Sequence, residues 1–421
     1  MPACRLPLNG YHDERGRIVD SNHPAQMRAA GNLSNSVTTA AWFLANKQER
    51  NMHMPRKLAS VVRIETVAPV PDADRLEVVS LVGKGWRVVV SKGEFRSGDL
   101  AVYFEIDSYL PADDPRFAFL RERCLRKFCS KSGNVLREGI RIKTAKLRGV
   151  VSQGLVIPLD RFPELSADRL APEPGTDVTA ALRVEHFDEV AEAMRPLEGG
   201  MGAVEPMGPF PGFIPKTDEE RIQNLAEYFK TMRGRRFEAT EKNDGTSVTM
   251  FFAPSMDPEN PFGVCTRNNR IRSRNTSGDV PLPWRLAEKC GAEKAIRQAS
   301  ETTGVELAFQ GELVGPGVNA NRDGYTDWEW HVFRIWNITT ASFLPPAEAR
   351  ALCKQVGLSY VPVIDEALDV FERFRTMDEL LAFAEGKTAR GHEREGVVFK
   401  STDAPYVSFK AVSNRYLLKN G

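Results

Sequence analysis

The sequence predicts an α+β protein in which a small β-barrel precedes a larger domain of antiparallel sheets and helices. Three observations predict it. Residues 57–159 are a run of short strands punctuated by turn residues, residues 166–215 become dense in Gly and Pro, and from Thr217 onward strand and helix periods alternate. The 421 residues suffice for two domains with a sizeable core, and 42% hydrophobic with 27% charged residues is ordinary for a soluble globular chain.

Residues 1–55 are polar and show no sustained period, as in "LSNSVTT". They read as a disordered extension, with Met54 as an alternative start. Over 56–165, "LASVVRIETVAP", "RLEVVSLV", "WRVVVS" and "LAVYFEI" are rich in Val, Ile and aromatics and are separated by "PDAD", "GKG" and "KGEFRSGD". The later "GIRIKTAKLRGVVSQGLVIPL" closes the run. Five or so short strands suggest an OB-like barrel, with a small sandwich as the alternative. Residues 166–215, ending in "EGGMGAVEPMGPFPGFIP", have linker composition.

The domain over 216–421 opens on "TDEERIQNLAEYFKTMRG", which predicts a helix. Thr217 and Glu220 form a capping box, Ile222, Leu225, Phe229 and Met232 recur at helical spacing, and Gly234 stops it. Strands are predicted at 236–241, 247–253, 306–314, 330–337, 395–400 and 406–410, and helices at 283–299, 346–356 and 377–386.

Composition excludes several classes. A net charge of +1 gives no whole-chain attraction to nucleic acid, so any such surface has to be a local patch. Six cysteines without a CxxC, and six histidines without an HxxxH, argue against a zinc site and for reduced, cytoplasmic thiols. No apolar run reaches transmembrane length, and the N-terminus has no signal-peptide pattern.

The chemistry concentrates around "TEKNDGTS", residues 240–247. Asp-Gly between apolar runs reads as a hairpin turn, and Lys242 beside it is either a solvated surface lysine or a nucleophile at a pocket mouth. The order of charged and aromatic residues further along the chain favours the nucleophile. Arg267 and Arg270 lie in "TRNNRIR", Glu312 in "FQGELVGPG", Phe333 in "WHVFRIWNI", Glu395 and Lys400 in "EGVVFK", and Lys410 in "VSFKAVSN". A carboxylate inside the apolar run around Glu312 needs a buried partner.

This ordered set resembles the covalent nucleotidyltransferase superfamily of ATP-dependent ligases and RNA capping enzymes, over about residues 217–421. The resemblance implies a nucleotidyltransferase (ATP-grasp-like ligase) domain using ATP and Mg²⁺ or Mn²⁺. It implies Lys242 as the residue that becomes adenylated, with Glu395 and Lys410 also catalytic. Glu395 and Glu312 would hold the metal. Glu241, Arg221, Arg267, Glu312, Phe333 and Lys400 would contact the nucleotide, Phe333 by offering a face to adenine. The family's last motif often has two lysines spaced Lys-x-Lys. Here Ser408 precedes Lys410, so a second phosphate contact falls to Lys400 or Arg415.

Only eleven residues follow Lys410, too few for the C-terminal OB domain of DNA ligases and capping enzymes, and the candidate barrel lies ahead of Lys242 instead. That order is similar to a group of RNA ligases. The expectation is an ATP-dependent RNA ligase acting on RNA with a 3′-OH/5′-phosphate break, cytoplasmic, monomeric and without a membrane partner. DNA ligation is the enzymatic alternative, and a tRNA-binding module fused to a dead nucleotide site is the non-catalytic one. The basic stretch 121–131 with Arg137, Arg141, Lys143, Lys146 and Arg148 is either an RNA-backbone surface or a solvated loop.

Overall fold

The computed structural model describes residues 56–130, 132–166, 172–198 and 204–420, together with a two-rung ladder between Tyr11–His12 and Ile18–Val19. The rest of the segment read as a disordered extension lies outside the described residues.

The N-terminal domain is all-β at its centre. Its strands are β1 (Ala59–Pro69), β2 (Leu76–Leu81), β3 (Arg87–Ser91), β4 (Leu100–Phe104), β5 (Ser108–Pro111), β6 (Leu125–Cys129), β7 (Val135–Arg141), β8 (Thr144–Leu147), β9 (Val150–Gln153) and β10 (Leu155–Pro158). Strand β1 serves two partners: residues 59–63 pair with β4 and residues 64–69 with β2, the register slipping between Ile64 and Thr66. A strand shared in this way must bend, and the bulge curls the five-stranded sheet β10-β4-β1-β2-β3 into a half-barrel. Trp86, Tyr103 and Ile64 fill one side of the curl, and Phe104, Phe117 and Phe162 the other.

The stretch 166–215, read as a linker, is corrected in its described part. Val178, Leu182 and Val184 are buried in the barrel core, β11 (Glu185–His186) pairs with β5, and α1 (Phe187–Glu198) brings Phe187 onto Phe128. Further on, β12 (Pro206–Pro209) adds to a sheet of the second domain and Ile214 is buried there. Gly and Pro density marks backbone without helical period, but the few apolar residues among them are anchors.

The second domain continues with β13 (Glu220–Arg221), β14 (Arg236–Glu241), β15 (Thr246–Phe252), β16 (Phe262–Cys265), β17 (Asn269–Ile271), α2 (Leu282–Lys289), α3 (Ala292–Thr303), β18 (Leu307–Val314), β19 (Glu329–Asn337), β20 (Ser342–Phe343), α4 (Pro346–Val356), β21 (Val363–Asp369), α5 (Met377–Ala384), β22 (Gly396–Ser401), β23 (Ser408–Val412) and α6 (Asn414–Asn420). Two sheets result: seven strands in the order β12-β17-β16-β15-β18-β19-β20, and five in the order β13-β23-β22-β14-β21. Strand alternation divides their faces. Val248, Met250, Phe309 and Leu313 of the first sheet pack on α2, α3 and α4, and Phe237, Ala239, Phe399 and Phe409 of the second pack on Phe371, Leu380 and Leu381.

The helix predicted from Thr217 does not form. Its polar residues are taken by tertiary partners instead of by a cap. Lys410 and Arg267 donate to Asp218, Arg221 N and Asn224 donate to the Glu220 carboxylate, and Glu220–Arg221 pairs in parallel with Phe409–Lys410. Helical turns appear only as short pieces, a 3-10 turn at Ile222–Asn224 and an α turn at Tyr228–Thr231. The single helix predicted over 283–299 is two, broken where Gly291 adopts φ +63°, a left-handed value that glycine takes without strain. Among the described residues no helix is long and apolar enough to cross a membrane.

Candidate active site

Asp244-Gly245 is not the tip of a hairpin. Strand β14 before it pairs with β21 and β22, and β15 after it pairs with β16 and β18, so the chain crosses from one sheet to the other at Lys242–Gly245. A residue at this crossover faces both sheets. Lys242 receives Glu395 from the five-stranded side, Nζ to Oε1 at 2.6 Å, while Glu312 bears on it electrostatically from β18 of the other sheet. The Lys242 amide donates to Gly396 O at 3.0 Å, which fixes the turn against the strand that begins just after Glu395.

Gly245 is explained by space and not by a positive φ. A Cβ there would lie 2.3 Å from Leu313 O and 2.8 Å from Glu312 Cγ. Gly245 therefore lets the strand bearing Glu312 approach the nucleophile turn. Gly245→Ala is expected to lower the midpoint of thermal unfolding by several degrees, corresponding to roughly 1–3 kcal/mol of overpacking.

The electrostatics follow from burial. The Glu312 carboxyl is pushed up to about 8, chiefly by burial and further by Glu395, with Lys242 pulling the other way. Burial also raises Glu395, and Lys242 again opposes it. Burial alone would pull the Lys242 ammonium down, but Glu395 and Glu312 together reverse this and raise it. Held against Glu395 with Glu312 behind it, Lys242 is an ammonium. Any cation that engaged Glu312 and Glu395 would draw off their charge and lower the lysine toward its nucleophilic form. The donor set fits Mg²⁺ or Mn²⁺. Both groups are oxygen ligands, and Glu395 Oε2 is a buried acceptor with no hydrogen-bond partner.

The cations of the site gather on one carboxylate that the sequence pattern does not single out. Lys410 Nζ lies 2.8 Å from Asp218 Oδ1 and Arg267 Nη2 3.2 Å from Asp218 Oδ2. Burial would raise Asp218, but Lys410 and Arg267 hold it far below the usual carboxylate range. Lys410 lies in register with Val398, and Val398 with Thr240, so Lys410 shares the sheet face that leads to Lys242.

Phe333 is the extra residue of a bulge, the register of β18 with β19 slipping from Gln310–Arg334 to Gly311–Val332. It is half-buried and lines a small pocket with Tyr360, Lys400 and Tyr406. Lys400 is buried 3.7 Å from Glu238 and lowered to about 8 by that burial, with Glu238 opposing. It stands beside Phe333, not beside Lys242.

Three expected residues stand elsewhere. Alternation turns the Glu241 side chain to the face opposite Lys242, where it accepts from Ala389 N at 2.6 Å. Arg221 is buried in the seam between the domains, Nη2 to Asp107 Oδ2 at 3.1 Å. Arg415 is 70% exposed and pairs with Glu393. Asp244, which in the sequence is only part of a turn signal, is held by Arg322 and by Asn319 Nδ2 at 3.0 Å. In the barrel, Arg121 and Lys127 pair with Glu138, Arg137 with Glu185 and Arg141 with Asp107. Lys146 and Arg148 stand exposed on the β8–β9 hairpin.

Comparison with known proteins gives a consistent result. A family profile described as an OB-fold domain matches residues 58–159, and one described as RNA ligase matches residues 235–416. Among solved structures, an apo mutant of the Naegleria gruberi RNA ligase is 33% identical, with a TM-score of 0.72 over 87% of this chain and 98% of that one. A mutant of the same ligase with ATP and Mn gives 33% identity and a TM-score of 0.71 over 86% and 99%. The ligase with PPi gives 33% and 0.72 over 87% and 99%. No curated protein sequence matched the chain.

Proposed function

The chain belongs to the ATP-dependent RNA ligases, in a form with an OB-fold domain ahead of the ligase domain, and from that premise we propose that it seals 3′-OH and 5′-phosphate RNA ends through AMP carried on Lys242. The observation that carries this reading is the placement of Lys242 between Glu395 and Glu312 where the chain crosses between sheets.

In the first step the deprotonated Nζ attacks the α-phosphorus of ATP. The N–P bond forms, the bond to the bridging oxygen breaks, and pyrophosphate leaves. AMP then passes to the RNA 5′-phosphate, and attack by the 3′-OH forms the phosphodiester and releases AMP. Glu312 and Glu395 would hold the divalent cation, which supplies positive charge as charge develops on the phosphate. Arg267 and Lys410 present cations on the same side and would exchange Asp218 for phosphate oxygens. Phe333 and Lys400 would border the base. The exposed Lys146 and Arg148 are barrel cations that would meet an RNA backbone. DNA is the substrate the test has to exclude.

Glu312 sets a pH dependence. Its folded carboxyl is raised to about 8, so it keeps its proton where the unfolded chain, at about 4.3, has lost it. The group therefore costs stability progressively as pH rises between those values, and below about 8 it must release a proton to take up a cation. The Mg²⁺ concentration giving half-maximal adenylation is expected to fall as pH rises toward about 8 and to level off above it. A half-saturating concentration that does not change with pH would remove Glu312 from the metal site. The reading as a whole is tested by incubating the protein with ATP and Mg²⁺, digesting it, and locating the AMP adduct by mass spectrometry. The peptide containing Lys242 should carry it, and an adduct on any other lysine would reassign the nucleophile.

A further inference from the structure

The last helix, α6, touches both flanks of the nucleophile and the barrel at once. Ser413 N donates to Glu395 O at 2.9 Å, and Ser413 in turn caps the helix, its Oγ accepting from Tyr416 N at 3.0 Å. Tyr416 is 7% exposed. Its hydroxyl accepts from Arg322 Nη1 at 3.1 Å, and the same Nη1 donates to the Asp244 carboxylate, which Asn319 also holds. The first turn of α6 is thus bonded to Glu395 on one side of Lys242 and, through Arg322, to Asp244 on the other.

The neighbouring residue points the other way. Leu417 packs against the barrel cluster of Val79, Trp86, Val88 and Tyr103, and α6 lies along β8, the strand that leads to Lys146 and Arg148. Nothing in the three transfer steps requires Tyr416 to touch a reactant, and its hydroxyl is engaged by Arg322.

We infer that Tyr416 is a positioning residue that fixes the Lys242 turn through Asp244, and that Leu417 makes this fixation depend on the seating of the barrel. The inference rests on the reading of Lys242 as the residue adenylated. It predicts a defect confined to lysine adenylation, because sealing of RNA that already carries 5′-AMP does not require the Lys242 amine to be poised for attack.

The test uses the full chain. Tyr416→Phe keeps the ring and its packing and removes only the hydroxyl. It should slow lysyl-AMP formation at saturating ATP about tenfold, the scale of one hydrogen bond made effective in the transition state. The ATP concentration for half-maximal rate should stay within about twofold, and sealing of pre-adenylated nicked RNA should be unchanged within the same margin. Leu417→Ser should give the same step-selective loss. A wild-type adenylation rate in Tyr416→Phe, or equal losses in both steps, would overturn the inference and leave Tyr416 as packing. Absence of lysyl-AMP in the unmodified chain would instead overturn the assignment of Lys242 on which it stands.

Discussion

Lys242→Ala is expected to abolish covalent AMP labelling completely while leaving the protein able to seal RNA that is already 5′-adenylated. The first step needs the Nζ lone pair, and no other amine stands between Glu395 and Glu312 among the described residues. The later step needs the site to grip AMP and align the RNA ends, which alanine does not prevent. Lys242→Arg should fail in the same way, because a guanidinium stays protonated between two carboxylates. The measurement is label retained on denatured protein, alongside single-turnover sealing of the adenylated substrate. Residual labelling of the alanine variant would move the nucleophile elsewhere.

Glu395→Gln should be the next most damaging change. The amide is nearly isosteric, so the fold and the Ser413 contact to the backbone carbonyl should survive. What disappears is the carboxylate bonded to Lys242 and half of the oxygen pair that fits a divalent cation. Adenylation is expected to fall by about 10²–10³, the scale of one removed electrostatic contact to a transition state. Lys410→Ala should lose activity by a similar route, leaving Arg267 alone opposite Asp218. Rates close to wild type at low Mg²⁺ in either variant would contradict the roles given to them.

The site was legible where residue type and order carry the chemistry. Lys242, Glu312 and Glu395 are brought together, and Lys410 joins Arg267, because each sits on or beside a strand whose alternation turns it to one face. Long-range pairing was not legible. Asp-Gly after an apolar run looks like a hairpin from either side, and only the partners of β14 and β15, dozens of residues away, make it a crossover between sheets. Asp218 was hidden by its neighbours: with Thr217 and Glu220 it makes a convincing capping box, and only Lys410 and Arg267, brought in by folding, claim it instead. Arg221 sat in the same stretch, and its partner Asp107 lies in the other domain. Strand alternation alone places the Glu241 side chain opposite Lys242. The anchors Val178, Leu182 and Val184 were also visible, but isolated apolar residues among Gly and Pro give no period to read.

The two domains share a buried polar seam. Trp86 Nε1 donates to Asn224 Oδ1 at 2.6 Å, Gly85 N to Gln223 O at 2.7 Å, and Asn224 Nδ2 to Glu105 Oε1 at 2.7 Å. These contacts join the barrel to the very segment whose Asp218 meets Lys410 and Arg267. The barrel is therefore part of the platform on which the site is built, besides carrying the exposed Lys146 and Arg148.

On the proposed function, AMP travels from ATP through Lys242 to an RNA end. This transfer is tested most directly by loading the full chain with radiolabelled ATP and Mg²⁺, removing free nucleotide, and chasing the labelled protein with nicked RNA or nicked DNA of the same sequence. Label should leave the protein on RNA, appear transiently on the 5′-phosphate, and be released as AMP in step with sealing, with DNA far slower. Label that stays on the protein in the presence of nicked RNA, or that moves preferentially to DNA, would contradict it.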